Sequence, residues 1–99
     1  HAPVVVRFQH LTDEAEIRNL IAQAAAERKI LEIDYVSREN AGDGFRKVRK
    51  VEIRAVRDDE IEAYDHLRQD VRSFRIGRIV AARLLDEFVQ PRPVAQSLF

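Results

Sequence analysis

The chain has 99 residues, 45% hydrophobic and 34% charged, which is material for one hydrophobic core and excludes both a disordered chain and a membrane-spanning helix. It has no cysteine and three scattered histidines, so disulfides, thiol nucleophiles and thiolate metal sites are excluded and a histidine zinc site has no support. Lys+Arg and Asp+Glu are 17 each, for a net charge of +0, which rules out a globally basic nucleic-acid binder and leaves a locally basic one open.

Taken in chain order, residues 1–11 read as an arm from a larger protein, with Val4-Val5-Val6 and Phe8 suited to a short strand. The opening His1-Ala2-Pro3, with no initiator Met, signal peptide or lipidation motif, fits a piece of a longer protein. A globular domain is expected over residues 12–90. Thr12 is the expected N-cap of a helix whose first turn holds Asp13 and Glu14, matched to the positive end of the helix dipole. Ile17, Leu20, Ile21, Ala24 and Ala25 recur at helical spacing, and Arg28 and Lys29 fall where its last turn should be. The period then changes to two in Leu31-Glu32-Ile33-Asp34-Tyr35, the pattern of a half-buried strand.

Ser37 to Gly44 reads as a polar loop closed by Gly42-Asp43-Gly44, a hairpin turn. Phe45 to Val56 reads as a long basic strand with Val51, Ile53 and Ala55 on one face. Val48 is out of phase with them, and a bulge or bend near Arg49-Lys50 would restore the register. A turn at Arg57–Glu60, a strand at Ile61–Asp65, a connection at His66–Asp70 and a strand at Val71–Ile76 follow. Gly77 allows a tight turn. Ile79 to Leu85 suits a last strand, although Ala81-Ala82-Arg83-Leu84-Leu85 would serve equally as a short helix. Pro91 and Pro93 end regular structure, and residues 91–99 read as a tail. One helix and about five short strands predict a mainly β fold, a small, strongly bent barrel capped by that helix.

Charge is segregated along the chain. Residues 10–43 hold eight acids and four bases, whereas residues 46–83 hold eleven bases and seven acids. Lys occurs only at 29, 47 and 50, so most of the basic residues are Arg, whose planar fork pairs with phosphate and stacks on bases. The densest stretch is Ala63 to Ile79, AYDHLRQDVRSFRIGRI, with four arginines, two aromatics and a histidine. Arginines interleaved with aromatics suit single-stranded nucleic acid, the guanidinium holding phosphate and the flat rings accepting bases. Solvated arginines on an exposed strand face are the competing account. By strand alternation Arg72, Phe74 and Ile76 share one face and Ser73 and Arg75 the other, with Phe74 and Ile76 in the core. Asp65 and His66 are adjacent on a strand and point to opposite faces, so they do not form an acid–base pair. Ser37 and Ser73 lack the flanking glycines of a nucleophile elbow, and neither glycine cluster follows the phosphate-loop pattern.

The order of helix, ERKILEIDYVSR, glycine loop, basic strand, AYDHLRQDVRSFRIGRI and LLDEF resembles the WYL-domain family of bacterial regulators. Its most specific part is Tyr64, His66 and Arg68 followed by Arg72, Phe74, Arg75, Arg78 and Ile79. The tripeptide that names the family is not retained, since Asp59, Glu60 and Ile61 stand in its place. The resemblance implies an Sm-like, Src-homology-3-type barrel of about five strands. It also implies a non-catalytic, cytoplasmic ligand-binding module within a transcription regulator or helicase-type protein, its basic surface taking single-stranded DNA or RNA or a nucleotide.

The expected ligand-binding residues are therefore Tyr64, His66, Arg68, Arg72, Arg75 and Arg78. No catalytic residue, metal or cofactor is expected, nor a membrane partner. A protein-interaction or dimerisation module, a homodimer by strand addition at a sheet edge, is one alternative; a sensor of a small anionic metabolite is the other.

Overall fold

The computed structural model describes residues 13–37 and 46–91. The expected arm, the Thr12 cap and the Gly42-Asp43-Gly44 turn lie outside them. Helix α1 (Glu14–Glu27) begins at Asp13, an extended N-cap whose side chain makes no capping bond. The Asp13 carbonyl accepts the Ile17 N–H at 2.8 Å, and Glu14 and Glu16 occupy the first turn. Ile17, Leu20, Ile21 and Ala24 are buried, while Ala25, expected on the same stripe, is exposed. The helix does not extend through Arg28 and Lys29. Arg28 takes a left-handed conformation (φ 57°), with its N–H on the Ala24 carbonyl, and this reversal sends the chain directly into the sheet.

Strand β1 (Lys29–Val36) buries Leu31, Ile33 and Tyr35 and leaves Glu32 and Asp34 half-buried, the alternation the sequence predicts. Strand β2 (Arg46–Val56) pairs with it antiparallel, without a break from Val36↔Arg46 to Leu31↔Val51. The expected bulge near Arg49-Lys50 is therefore absent. Val48 is simply exposed, and Arg49 takes the inward position in phase with Val51. The irregularity of β2 lies instead between Ile53 and Ala55, against β3 (Glu60–Asp65). Strand β4 (Asp70–Arg75) continues the meander, and a 3-10 turn (Ile76–Arg78) leads into β5 (Ile79–Phe88). The last segment is a strand throughout, because it pairs along β1 from Tyr35↔Ile79 to Lys29↔Phe88.

The five strands form one antiparallel sheet in the order β4-β3-β2-β1-β5. The sheet is open, so the expected closed barrel is not formed by these strands: β4 and β5 are its two edges and do not pair. The 3-10 turn bridges them and is pinned elsewhere, with the Ile76 N–H donating to the Asp59 carbonyl at 2.8 Å. Helix α1 packs on β1, β2 and β5. Its apolar stripe meets Leu31, Ile33, Val51, Ile61, Phe74 and Ile76 in a single core. Each such side chain contributes about 1.5–3 kcal/mol when fully buried.

Candidate functional site

Where β1 ends and β2 begins lies a pocket of about 340 Å³, its described lining being Tyr35, Ser37, Lys47, Arg49, Leu67, Arg68 and Arg72. Among the described residues, its four charged lining residues are all cations. Register explains how they meet. Tyr35 faces Lys47 across the β1–β2 ladder, and Ile33 faces Arg49. Arg72 faces Ala63 across β3–β4, and Leu67 and Arg68 belong to the turn between those strands.

Asp65, fully buried at the end of β3, organises this arrangement. One of its oxygens accepts the Leu67 N–H at 3.0 Å, and its carbonyl accepts the Gln69 N–H at 2.6 Å, which fixes the turn carrying Arg68. Gln69 holds a left-handed φ of 58° there. The other carboxylate oxygen takes Arg49 Nη1 at 2.9 Å and lies 4.0 Å from Arg72 Nη1.

Arg49 is only 6% exposed. Its guanidinium carbon lies 5.8 Å from the Tyr35 ring centre and 5.6 Å from that of Phe74. Those rings meet edge to face at 5.0 Å. Arg72 approaches Phe74 at 6.0 Å. These distances suit cation–π attraction, which strengthens when the cation is desolvated. Lys47 and Arg68 are exposed at the rim, and among the described residues neither forms an ion pair.

The six residues expected from sequence are divided by the fold. Arg68 and Arg72 line the pocket. Arg75 does not; it is exposed, and its backbone N–H donates to the Tyr35 hydroxyl at 3.0 Å. Arg78 is half-buried in the 3-10 turn. Tyr64 alternates away from the buried Ala63 and Asp65, onto the opposite side of β3. It meets His66 edge to face at 5.5 Å. His66 Nε2 lies 2.7 Å from Glu52 Oε2, whose side chain is buried, while Asp65 serves Arg49. Asp65 and His66 thus engage different partners, as strand alternation requires.

Arg49, Lys47 and Tyr35 were not among the expected residues. The signal was present for Arg49, since strict alternation from Val51 and Ile53 puts position 49 on the inner face. Elsewhere cations are committed to carboxylates on the outer faces. Arg83 binds Glu32 at 2.8 Å, and Arg46 binds Asp34 at 2.6 Å. The hydrogen bond to Asp34 holds the Arg46 guanidinium above its ordinary value.

The family model for the WYL domain matches residues 16–84. The chain belongs to the WYL domain family. All seven described pocket residues lie within the matched span. No curated protein matches the chain. Among solved structures, the WYL domain is similar to Proteasome accessory factor B/C (PafBC) of Arthrobacter aurescens, with a TM-score of 0.71 and 27% identity. The match covers 87% of this chain and 14% of that one, so this chain spans a small part of the larger protein.

Proposed function

We propose that this WYL domain is a non-catalytic ligand-binding module of a larger transcription regulator, taking single-stranded nucleic acid or a nucleotide by its phosphates. The observation that carries the reading is the pocket itself, where Lys47, Arg49, Arg68 and Arg72 meet and no carboxylate is among the described lining residues. A concentration of fixed cations raises the local concentration of polyanions and draws them in. Arg68 and Arg72 take phosphate by paired N–H donors and Lys47 by charge. Tyr35 and Leu67 offer apolar surface to the attached sugar or base. Arg75 and Arg78 are not among the described lining residues, and Tyr64 with His66 lies on the opposite side of the sheet.

Membership in the WYL domain family supports a regulatory module, and the 14% coverage of PafBC supports a module within a longer chain. The Sm-like architecture belongs to the same reading. What supports it is the order of a helix, a four-strand meander, a 3-10 turn and a fifth strand returning beside the first, which a barrel opened between β4 and β5 would share.

The test is fluorescence anisotropy with a short single-stranded oligonucleotide at two salt concentrations. Each phosphate contact contributes a log–log salt slope of about −0.7 for single strands. Binding should therefore weaken with salt, and Arg68→Ala with Arg72→Ala should abolish most of it. Affinity indifferent to salt and to both substitutions would remove the pocket as the ligand site.

A further inference from the structure

Arg49 presents an unresolved hydrogen-bonding demand. Its Nη1 is spent on Asp65, while its Nε–H is buried and finds no acceptor among the described residues. A buried N–H without an acceptor is costly, and native structures rarely leave one without a reason. This donor belongs to a lining residue of the cationic pocket. The outer cations, Lys47 and Arg68, are exposed, Arg72 is half-buried and Arg49 is buried. The charges are therefore graded from rim to floor.

We propose that the pocket selects a terminal phosphate monoester, the phosphorylated end of a strand or of a nucleotide, with Arg49 as the specificity-determining cation. This rests on the reading of the pocket as a phosphate site and adds which phosphate it takes. Two physical arguments carry it. A phosphodiester within a strand has a sugar on each side, and both must clear the exposed rim before its phosphate reaches the buried Arg49. A terminal phosphate has a sugar on one side only and can enter end-on. The second argument is charge. A monoester carries about −1.5 to −2 charges and three terminal oxygens, whereas an internal diester carries one charge and two such oxygens. Four cations among the described lining residues, beside the buried carboxylate of Asp65, match the monoester.

Asp65 acts here as a positioning residue, since it holds the Arg49 guanidinium by Nη1 and leaves the Nε edge unspent. Lysine at position 49 would keep the charge opposite Asp65 and lose both the planar fork and the Nε–H.

The experiment titrates the full chain with one oligonucleotide sequence in three forms, bearing a 5′-phosphate, a 3′-phosphate or no terminal phosphate. At least one phosphorylated form should bind tighter than the unphosphorylated form by about tenfold, the equivalent of one additional charge-assisted hydrogen bond. Which end gives the gain identifies the polarity of entry. R49K should lower the ratio of the two affinities toward one. K47A, at an exposed position that leaves the core untouched, should lower it in part and serves if R49K does not fold. Equal affinity for all three forms would overturn the terminal-phosphate assignment and leave the proposed function standing. Binding of none would overturn both. A preference that persists unchanged in both K47A and a folded R49K would place the terminal phosphate elsewhere and overturn the role of Arg49.

Discussion

Asp65→Ala should be among the most destabilising substitutions in the domain, although it removes only a small polar side chain. The wild-type carboxylate is fully buried and accepts from Arg49 at 2.9 Å and from the Leu67 N–H at 3.0 Å. Its loss strands the guanidinium of Arg49, whose side chain is 5% exposed, and breaking one partner out of a buried ion pair costs about 3–5 kcal/mol. That is a large share of the roughly 5–15 kcal/mol that holds a typical domain together. At about 4–8 °C per kcal/mol for a domain of this size, the melting temperature should fall by well over ten degrees. Urea denaturation followed by circular dichroism measures the change directly. The informative comparison is a double-mutant cycle with Arg49→Met and Asp65→Asn, in which asparagine can still accept from Leu67. Each single variant leaves one charge buried, whereas the pair leaves none, so the double variant should recover much of the loss. Additive losses in the cycle, or a cost for Asp65→Ala below about 1 kcal/mol, would refute the claim that the two charges depend on one another.

Phe74→Ala should cost about 3–5 kcal/mol by cavity formation, since Phe74 is 1% exposed and packs against Tyr35 and the core; thermal denaturation reads the loss. Tyr35→Phe removes the acceptor of the Arg75 N–H and should cost about 1 kcal/mol by the same assay. Arg28→Gly should stabilise the chain by about 1 kcal/mol, because Arg28 holds a left-handed φ of 57° that glycine adopts without steric cost; a higher urea midpoint with unchanged slope is the expected sign. Arg72→Ala should weaken oligonucleotide binding and reduce the salt slope by about 0.7. Arg75→Ala should leave both unchanged, since Arg72 lines the pocket and Arg75 does not.

The helix and β1 were legible because their periods are clean. Ile17, Leu20, Ile21 and Ala24 repeat at helical spacing, and Leu31, Ile33 and Tyr35 alternate with acids. The helix end was misread because Arg28 and Lys29 suit a last turn by charge, and charge does not reveal a left-handed residue. The β2 register was misread for a different reason. Val48 looks like a phase error when apolar residues are assumed to point inward, and a bulge or bend was the natural repair; Val48 is in fact exposed and Arg49 takes the inner position. The partner that makes an inward Arg49 possible, Asp65, is sixteen positions away in sequence and is brought to it by the β2–β3 pairing. The ligand residues divide along the same line. Arg68 and Arg72 were legible from local density, but density alone could not separate them from Arg75 and Arg78. Only the alternation of β4 and the turn after it decide which guanidiniums share a cavity.

The buried pair bears on why the pocket exists. Paired charges inside a protein seldom add stability beyond what apolar residues of similar size would supply. Arg49 and Asp65 are therefore poorly explained as a device for holding the sheet together, the more so because one guanidinium nitrogen is left without an acceptor. They are better explained by where the pair sits. Asp65 fixes the turn that carries Arg68, lies within reach of Arg72 and anchors Arg49, so one carboxylate sets the positions of three of the four pocket cations. A preorganised cluster loses less conformational entropy on meeting its ligand than flexible surface arginines would. On this argument the domain tolerates an ion pair in its interior because the same pair builds the site, and a variant that exchanges it for apolar contacts should keep the fold and lose the ligand.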